Sequence, residues 1–256
     1  MTGFGAIYRR ELSTYFNSPI FYVVGFVFLA LFGYLYLAGV LAYNYYSLQA
    51  QNPMLAGQLN VTDLVFTPLF HNTSVVMLLV MPLLTMRLFA EERKSGTIEL
   101  LFTYPLRDAG TLFGKLAAVL TVFLAILAGT LPCIAHLATL APVDPGVALT
   151  NYLGLFLLGL SFLSLGIFVS SLTENQIVAA VVSFGALLLF WLIGFLGQFS
   201  ASGAGGGLIS YVSILEHFEG FTRGVIDTRD VAFYLLFSAF FLFGTLRVLE
   251  SMRWRG

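Results

Sequence analysis

Ile20-Phe-Tyr-Val-Val-Gly-Phe-Val-Phe-Leu-Ala-Leu-Phe-Gly-Tyr-Leu-Tyr-Leu-Ala-Gly-Val-Leu-Ala-Tyr43 contains no charged residue and no Ser, Thr, Asn or Gln. As an α-helix, such a run is about 36 Å long, enough to cross a hydrocarbon core of about 30 Å. Its apolar residues cover every helical face, which does not suit a surface helix of a soluble domain. It lacks the two-residue alternation of a barrel strand. Backbone polar groups facing lipid must be satisfied within the segment, so a helix is the remaining solution.

Similar gaps recur along the chain. No charged residue occurs between Glu11 and Asp63, Asp63 and Arg87, Lys115 and Asp144, Asp144 and Glu174, or Glu174 and Glu216. We read six spans: Ile20–Tyr43, Pro68–Met86, Leu116–Ala135, Tyr152–Ser170, Ile177–Leu196 and Val231–Leu249. Arg247, in the last turn of the sixth, can snorkel to the interface. The first span is too long for a signal peptide and follows a polar helix, so it is expected to be retained. The fold class is therefore all-α: one polytopic membrane domain over residues 1–256, with six transmembrane helices.

Composition agrees. Residues are 59% apolar and 10% charged, against about 25% charged in an ordinary globular chain. Disorder needs the opposite balance. A net charge of −1 excludes a broadly basic nucleic-acid binder. The single cysteine, Cys133, excludes an intrachain disulfide framework. Orientation follows from the Lys and Arg residues: ten of the 12 fall on the side of the termini and only Arg223 and Arg229 on the other. The positive-inside rule makes both termini cytoplasmic.

Three segments outside the spans carry information. Residues 1–18 place Phe4, Ile7, Tyr8, Leu12, Tyr15 and Phe16 at helical spacing, with Arg9, Arg10, Glu11, Ser13, Thr14 and Asn17 on the other face. This predicts an amphipathic interfacial helix, stopped at Pro19. The loop between spans two and three holds most of the cytoplasmic charge. In it, Gly96 breaks any helix continuing from span two, and Thr97–Tyr104 can form a short helix with an apolar stripe of Ile98, Leu101 and Phe102. A charged stem with an apolar tip suits a docking element; a solvated positive-inside loop suits the same spacing. The outer segment 198–230 interleaves apolar residues with Glu216, His217, Glu219, Arg223 and Asp227, as expected of a re-entrant or interfacial stretch. Its spacing is not a zinc motif, and no metal site is expected.

Several chemistries are missing from the sequence. There is no Walker A motif and no Gly-x-Ser-x-Gly elbow. No Asp, Glu or Lys falls within the six predicted spans, which disfavours a proton relay. No catalytic residue is expected, and the energy for any active movement must come from a partner.

Glu91-Glu92-Arg93-Lys94-Ser95-Gly96-Thr97-Ile98-Glu99-Leu100-Leu101-Phe102-Thr103-Tyr104-Pro105-Leu106 resembles the cytoplasmic-loop signature of type-two ABC exporter permeases. The N-terminal Tyr8-Arg9-Arg10-Glu11-Leu12, the six spans and the N-in/C-in topology match that family. The stretch from Glu216 to Asp227, followed by Asp230, resembles the subgroup that includes gliding-motility permeases.

The resemblance implies a non-catalytic subunit in a bacterial or archaeal cytoplasmic membrane. It would pair with a second permease copy or paralogue and dock on a separate cytoplasmic ATPase that holds ATP and magnesium. A periplasmic or surface accessory protein is a further implied partner. The coupling-helix role falls on Glu91, Glu92, Arg93, Lys94, Gly96, Thr97, Ile98, Glu99 and Leu100, with Arg9, Arg10 and Glu11 near the same interface. The loop between spans four and five, residues 171–176, would be a second contact. Small residues at four-residue spacing, Gly166 with Ser170 and Ala179 with Ser183, would permit close helix contact. Phe184, Phe190, Trp191 and Phe195 are candidate liners of an apolar path for an amphipathic or lipid-like substrate; lipid packing is the other use of such residues. The alternative function is an anchor that relays ATPase motion to a surface or gliding-type machinery without transport.

Overall fold

In the computed structural model, residues 3–49, 60–97, 108–199 and 213–253 are described, with backbone only for residue 49 and residues 195–199. The helices are α1 (Gly3–Phe16), α2 (Pro19–Gln49), α3 (Thr67–Thr85), α4 (Ala90–Lys94), α5 (Asp108–Ala128), α6 (Leu131–Leu140), α7 (Pro145–Leu172), α8 (Gln176–Phe199), α9 (Glu216–Thr222) and α10 (Thr228–Arg253). Among the described residues there is no strand. Six stretches are long and apolar enough to cross a membrane: Pro19–Leu48, Thr62–Lys94, Asp108–Leu140, Pro145–Leu172, Gln176–Gly194 and Thr228–Arg253.

All six predicted spans are present, and most of the observed helices extend further than the sequence suggested. A π-helical turn over Thr62–Phe66 leads into α3, so Asp63 lies at the start of the second spanning stretch. Pro82 has no N–H for the α3 ladder, and the helix gives way to a turn at residues 86–89 before α4 resumes. The third stretch breaks at Gly129–Thr130, and α6 restarts with a proline in its first two positions. Pro145 opens α7, where Asp144 Oδ1 accepts from the Gly146 N–H at 2.8 Å.

The central element is α7. It buries Leu155, Leu158, Phe162, Leu165 and Ile167 on several faces and packs against α10, α3, α8, α9 and α5. A helix surrounded by neighbours needs no amphipathic stripe, which is why its sequence shows none. Small residues set the approach distances. A Cβ on Gly159 would overlap the Phe123 ring, and one on Gly154 would come within 2.7 Å of Phe221. Gly159→Ala is expected to cost about 1–3 kcal/mol by overpacking, read as a lower thermal unfolding midpoint in detergent.

The outward faces of α2, α8 and α10 remain apolar and exposed, at Tyr22, Phe26 and Leu37, Ile177, Val181 and Leu189, and Leu236 and Phe240. Such faces suit a hydrocarbon surround rather than water. Both terminal helices lie against α5: α1 packs beside Gly114, Lys115 and Thr121, and Arg253 at the end of α10 lies 3.6 Å from Asp108 at the start of α5. We call this the basic end.

Candidate functional site

Of the described basic residues from the end of α3 to Lys115, Arg87, Arg93 and Lys115 are tied down at the basic end, and Lys94 is exposed. Lys115 is the centre. It is 1% exposed, two turns inside α5, because that helix begins at Asp108. Its Nζ donates to Glu11 Oε1 at 2.9 Å and to the Leu88 carbonyl at 2.8 Å, lies 3.0 Å from Glu92 Oε1, and sits over the Phe89 ring. An ammonium has three protons, and this geometry offers each of them an acceptor. Glu92 Oε1 also accepts from Arg10 Nη2 at 2.8 Å. Two carboxylates and two cations thus join α1, α4 and α5.

This corrects the sequence reading at three residues. Lys115 was expected as a solvated loop charge before the third span, but the longer helix carries it into the interior. Glu11 was assigned to the polar face of the N-terminal helix, yet it is 7% exposed and shares the buried stripe of α1 with Ile7 and Tyr15. Its position four residues from each of those two was the available signal: register alone puts it on the packed face. Arg9, Phe4 and Phe16 are exposed, as an interfacial helix requires. Glu92 is 6% exposed, so it too is interior rather than a solvated docking charge.

Arg87 ties the same stem to the junction of α1 and α2. Its guanidinium donates to Ser18 Oγ at 2.8 Å and the Thr14 carbonyl at 3.2 Å, over the Tyr15 ring. Tyr15 donates its hydroxyl to the Leu84 carbonyl at 2.6 Å. Burial pushes its phenol well above the ordinary range, only partly offset by Arg87, so it stays a neutral donor. On the opposite side of the stem, Arg93 donates to the Ser171 carbonyl at 2.9 Å and to Glu174 Oε1 at 3.2 Å.

Ser170 of α7 closes the assembly. Its Oγ accepts from the N–H groups of Phe89 and Ala90, at 3.1 and 3.2 Å, and donates to the Met86 carbonyl at 3.0 Å. Those amides open α4 and have no partner within that helix. The small-residue expectation therefore resolves into two roles. Gly166 allows close contact with Thr85 on α3, whereas Ser170 caps the stem. Ala179 and Ser183 are both fully buried. The stem ends where predicted: Gly96 has φ +69°, left-handed backbone that favours glycine, and nothing crowds its α-carbon. Thr97 donates back to the Glu92 carbonyl at 3.4 Å. The predicted tip residues Ile98, Glu99 and Leu100 lie outside the described residues.

Two depressions flank the stem. An open one of about 500 Å³ is lined by Arg93, Lys94, Leu172, Thr173, Glu174 and Asn175. It brings the predicted second contact loop beside the first. A smaller crevice of about 190 Å³, between α1 and α4, includes Arg10, Thr14, Arg87, Glu91, Glu92 and Thr97 in its walls.

The other predicted residues sit elsewhere. Phe184 is exposed, Phe190 stacks edge-on against Phe237 of α10, and Trp191 is partly buried against the core, lining one small crevice with Leu78, Phe162, Leu187 and Ile214; the Phe195 side chain lies outside the described part. At the far end, α9 inserts Phe218 and Phe221 fully into the core against α7. His217 Nδ1 lies 2.7 Å from Asp230 Oδ1, with its ring stacked on Phe233. Glu219 and Arg223 pair loosely at 3.7 Å, Glu216 is exposed, and Asp227 accepts from the Arg229 N–H at 2.9 Å. Among the described residues no group of three His, Cys, Asp or Glu side chains could hold a metal.

A family model described as ABC-2 family transporter protein matches residues 5–248, which takes in most of α1, the stem, the first five spanning stretches, α9 and most of the sixth. No curated protein matches the chain. The match does not reach down to a gliding-motility subgroup. Because it covers nearly the whole sequence, the chain belongs to the ABC-2 transporter family, as a multi-pass membrane protein of the permease type.

Proposed function

We propose that this chain is the membrane subunit of an ATP-driven exporter, with its basic end facing the cytoplasm and its α3–α5 loop docked on a separate ATPase that holds ATP and magnesium. One observation carries the reading: the stem preceding the loop is fastened to α1, α5 and α7 at once, through Glu92, Lys115, Ser170 and Arg93. A solvated linker has no use for such fastening. An element that receives force does, because displacement at its tip then moves spanning helices as rigid bodies. The six spans predicted from sequence hold no Asp, Glu or Lys, so an amphipathic or lipid-like cargo fits best, moving between two permease copies or paralogues. Phe184, Phe190, Trp191 and Phe195 keep their place as candidate liners.

Gly96→Val tests this. The left-handed backbone at Gly96 would cost a β-branched residue about 1–2 kcal/mol, and relief of that strain redirects the chain toward the tip. With the cognate ATPase in nanodiscs, the variant should lose most permease-dependent stimulation of ATP hydrolysis, while its unfolding midpoint falls by only a few degrees, about 2–4 °C per kcal/mol. Unchanged stimulation would refute the docking assignment. The chain alone should hydrolyse no ATP.

A further inference from the structure

We infer that the crevice between α1 and α4 is a socket for a cationic side chain, arginine or lysine, of the ATPase subunit. This rests on the docking reading above and adds the chemistry of the contact.

The cations around the crevice already have hydrogen-bond partners. Three cations line the crevice. Lys115 is saturated by Glu11, Glu92 and the Leu88 carbonyl. Arg87 is committed to Ser18 and the Thr14 carbonyl. Arg10 holds Glu92 but is 56% exposed along its side chain, so its charge is largely shared with water.

The anions are not saturated. Glu92 spends Oε1 on two cations, while its Oε2 is buried without a partner among the described residues. An ionised carboxylate has about four lone-pair sites, and a buried one left empty is costly. Next to it Glu91 is exposed and makes no ion pair or side-chain hydrogen bond among the described residues. Among the described residues the crevice therefore still has carboxylate acceptors to spare, at Glu91 and at Glu92 Oε2, and a positively charged donor matches them best. Its volume of about 190 Å³ admits the end of one long side chain.

Across the stem the free charge has the opposite sign. Arg93 is occupied by Ser171 and Glu174, while exposed Lys94 makes no ion pair among the described residues. A partner that puts a cation into the crevice and an acid on Lys94 can seat on the stem in one direction only. Charges arranged this way fix register more than they raise affinity.

Binding of the cognate ATPase to the full chain in nanodiscs tests this across a range of salt concentrations. Glu91→Gln should raise Kd about tenfold and flatten its salt dependence, because an ion pair screened by salt is lost. Its unfolding midpoint should match wild type, since Glu91 is exposed. Glu91→Lys should bind more weakly still. Among ATPase variants with single Arg or Lys residues changed to Glu, one should restore its binding. If Glu91→Gln leaves Kd and its salt dependence unchanged while Gly96→Val abolishes binding, docking holds and the socket is wrong. If neither substitution alters Kd, the docking reading fails as well. If no ATPase charge reversal rescues Glu91→Lys, the cationic occupant is refuted.

Discussion

Lys115→Met is expected to be severely destabilising, by about 3–5 kcal/mol, the cost of breaking a buried ion pair from one side. The lysine is 1% exposed and, among the described residues, is the sole ion-pair partner of Glu11, itself 7% exposed. Methionine leaves the Glu11 carboxylate buried with nothing opposite it and removes the donor to the Leu88 carbonyl. Glu92 suffers less, because Arg10 remains at 2.8 Å. This asymmetry gives the prediction its control. In Glu11→Leu/Lys115→Met both members of one pair go together, and apolar replacement of a buried pair is often neutral. The single variant should melt well below wild type, by about 2–4 °C for each kcal/mol, and the double variant should recover most of the loss. Equal midpoints for single and double variants would show that the orphaned charge is not the cause. Thermal unfolding in detergent, followed by size-exclusion recovery, makes the measurement.

The same cluster shows what the sequence could and could not convey. The six spans were legible because a charge-free run of about twenty residues has few other uses. Gly96 as the stem's end was legible for a similar reason: glycine is favoured where the backbone turns left-handed. Lys115 was not. A lysine at the edge of an apolar run looks the same whether the helix begins at it or two turns earlier, and the helix begins at Asp108. Its burial depends on Glu11 and Glu92, which are distant in sequence, and pairing at that separation leaves no periodic trace. Glu11 was recoverable in principle from its spacing to Ile7 and Tyr15. Assigning it by residue type instead of by register put it on the wrong face. The segment proposed to dock is marked by its charge and by its resemblance to the family's loop signature. Its attachment to α7 was invisible, since a serine that caps another helix and one that bonds its own helix are the same letter.

Ser170 and Ser171 turn that last point into a measurement. Both are fully buried, and they are neighbours on α7. Among the described residues, Ser171 Oγ donates only to the Phe168 carbonyl of its own helix, at 2.7 Å. That carbonyl also lies within the helix ladder, so Ser171→Ala should be nearly neutral. Ser170 instead satisfies the Phe89 and Ala90 amides and the Met86 carbonyl. Ser170→Ala strands those groups where α3 has already broken and α4 has not yet formed its own bonds. Each buried group left unpaired costs about 1–3 kcal/mol. Ser170→Ala should therefore lower the unfolding midpoint by several degrees more than Ser171→Ala. Hydrogen exchange should locate the damage: amides of residues 86–94 should exchange faster in the first variant and not in the second. In the reconstituted complex the first should also weaken stimulation of the ATPase, because the stem has lost its attachment to the central helix while the tip is untouched. Matching midpoints and exchange for the two variants would mean that Ser170 is not the clasp, and that the stem is held to α7 by Arg93 alone.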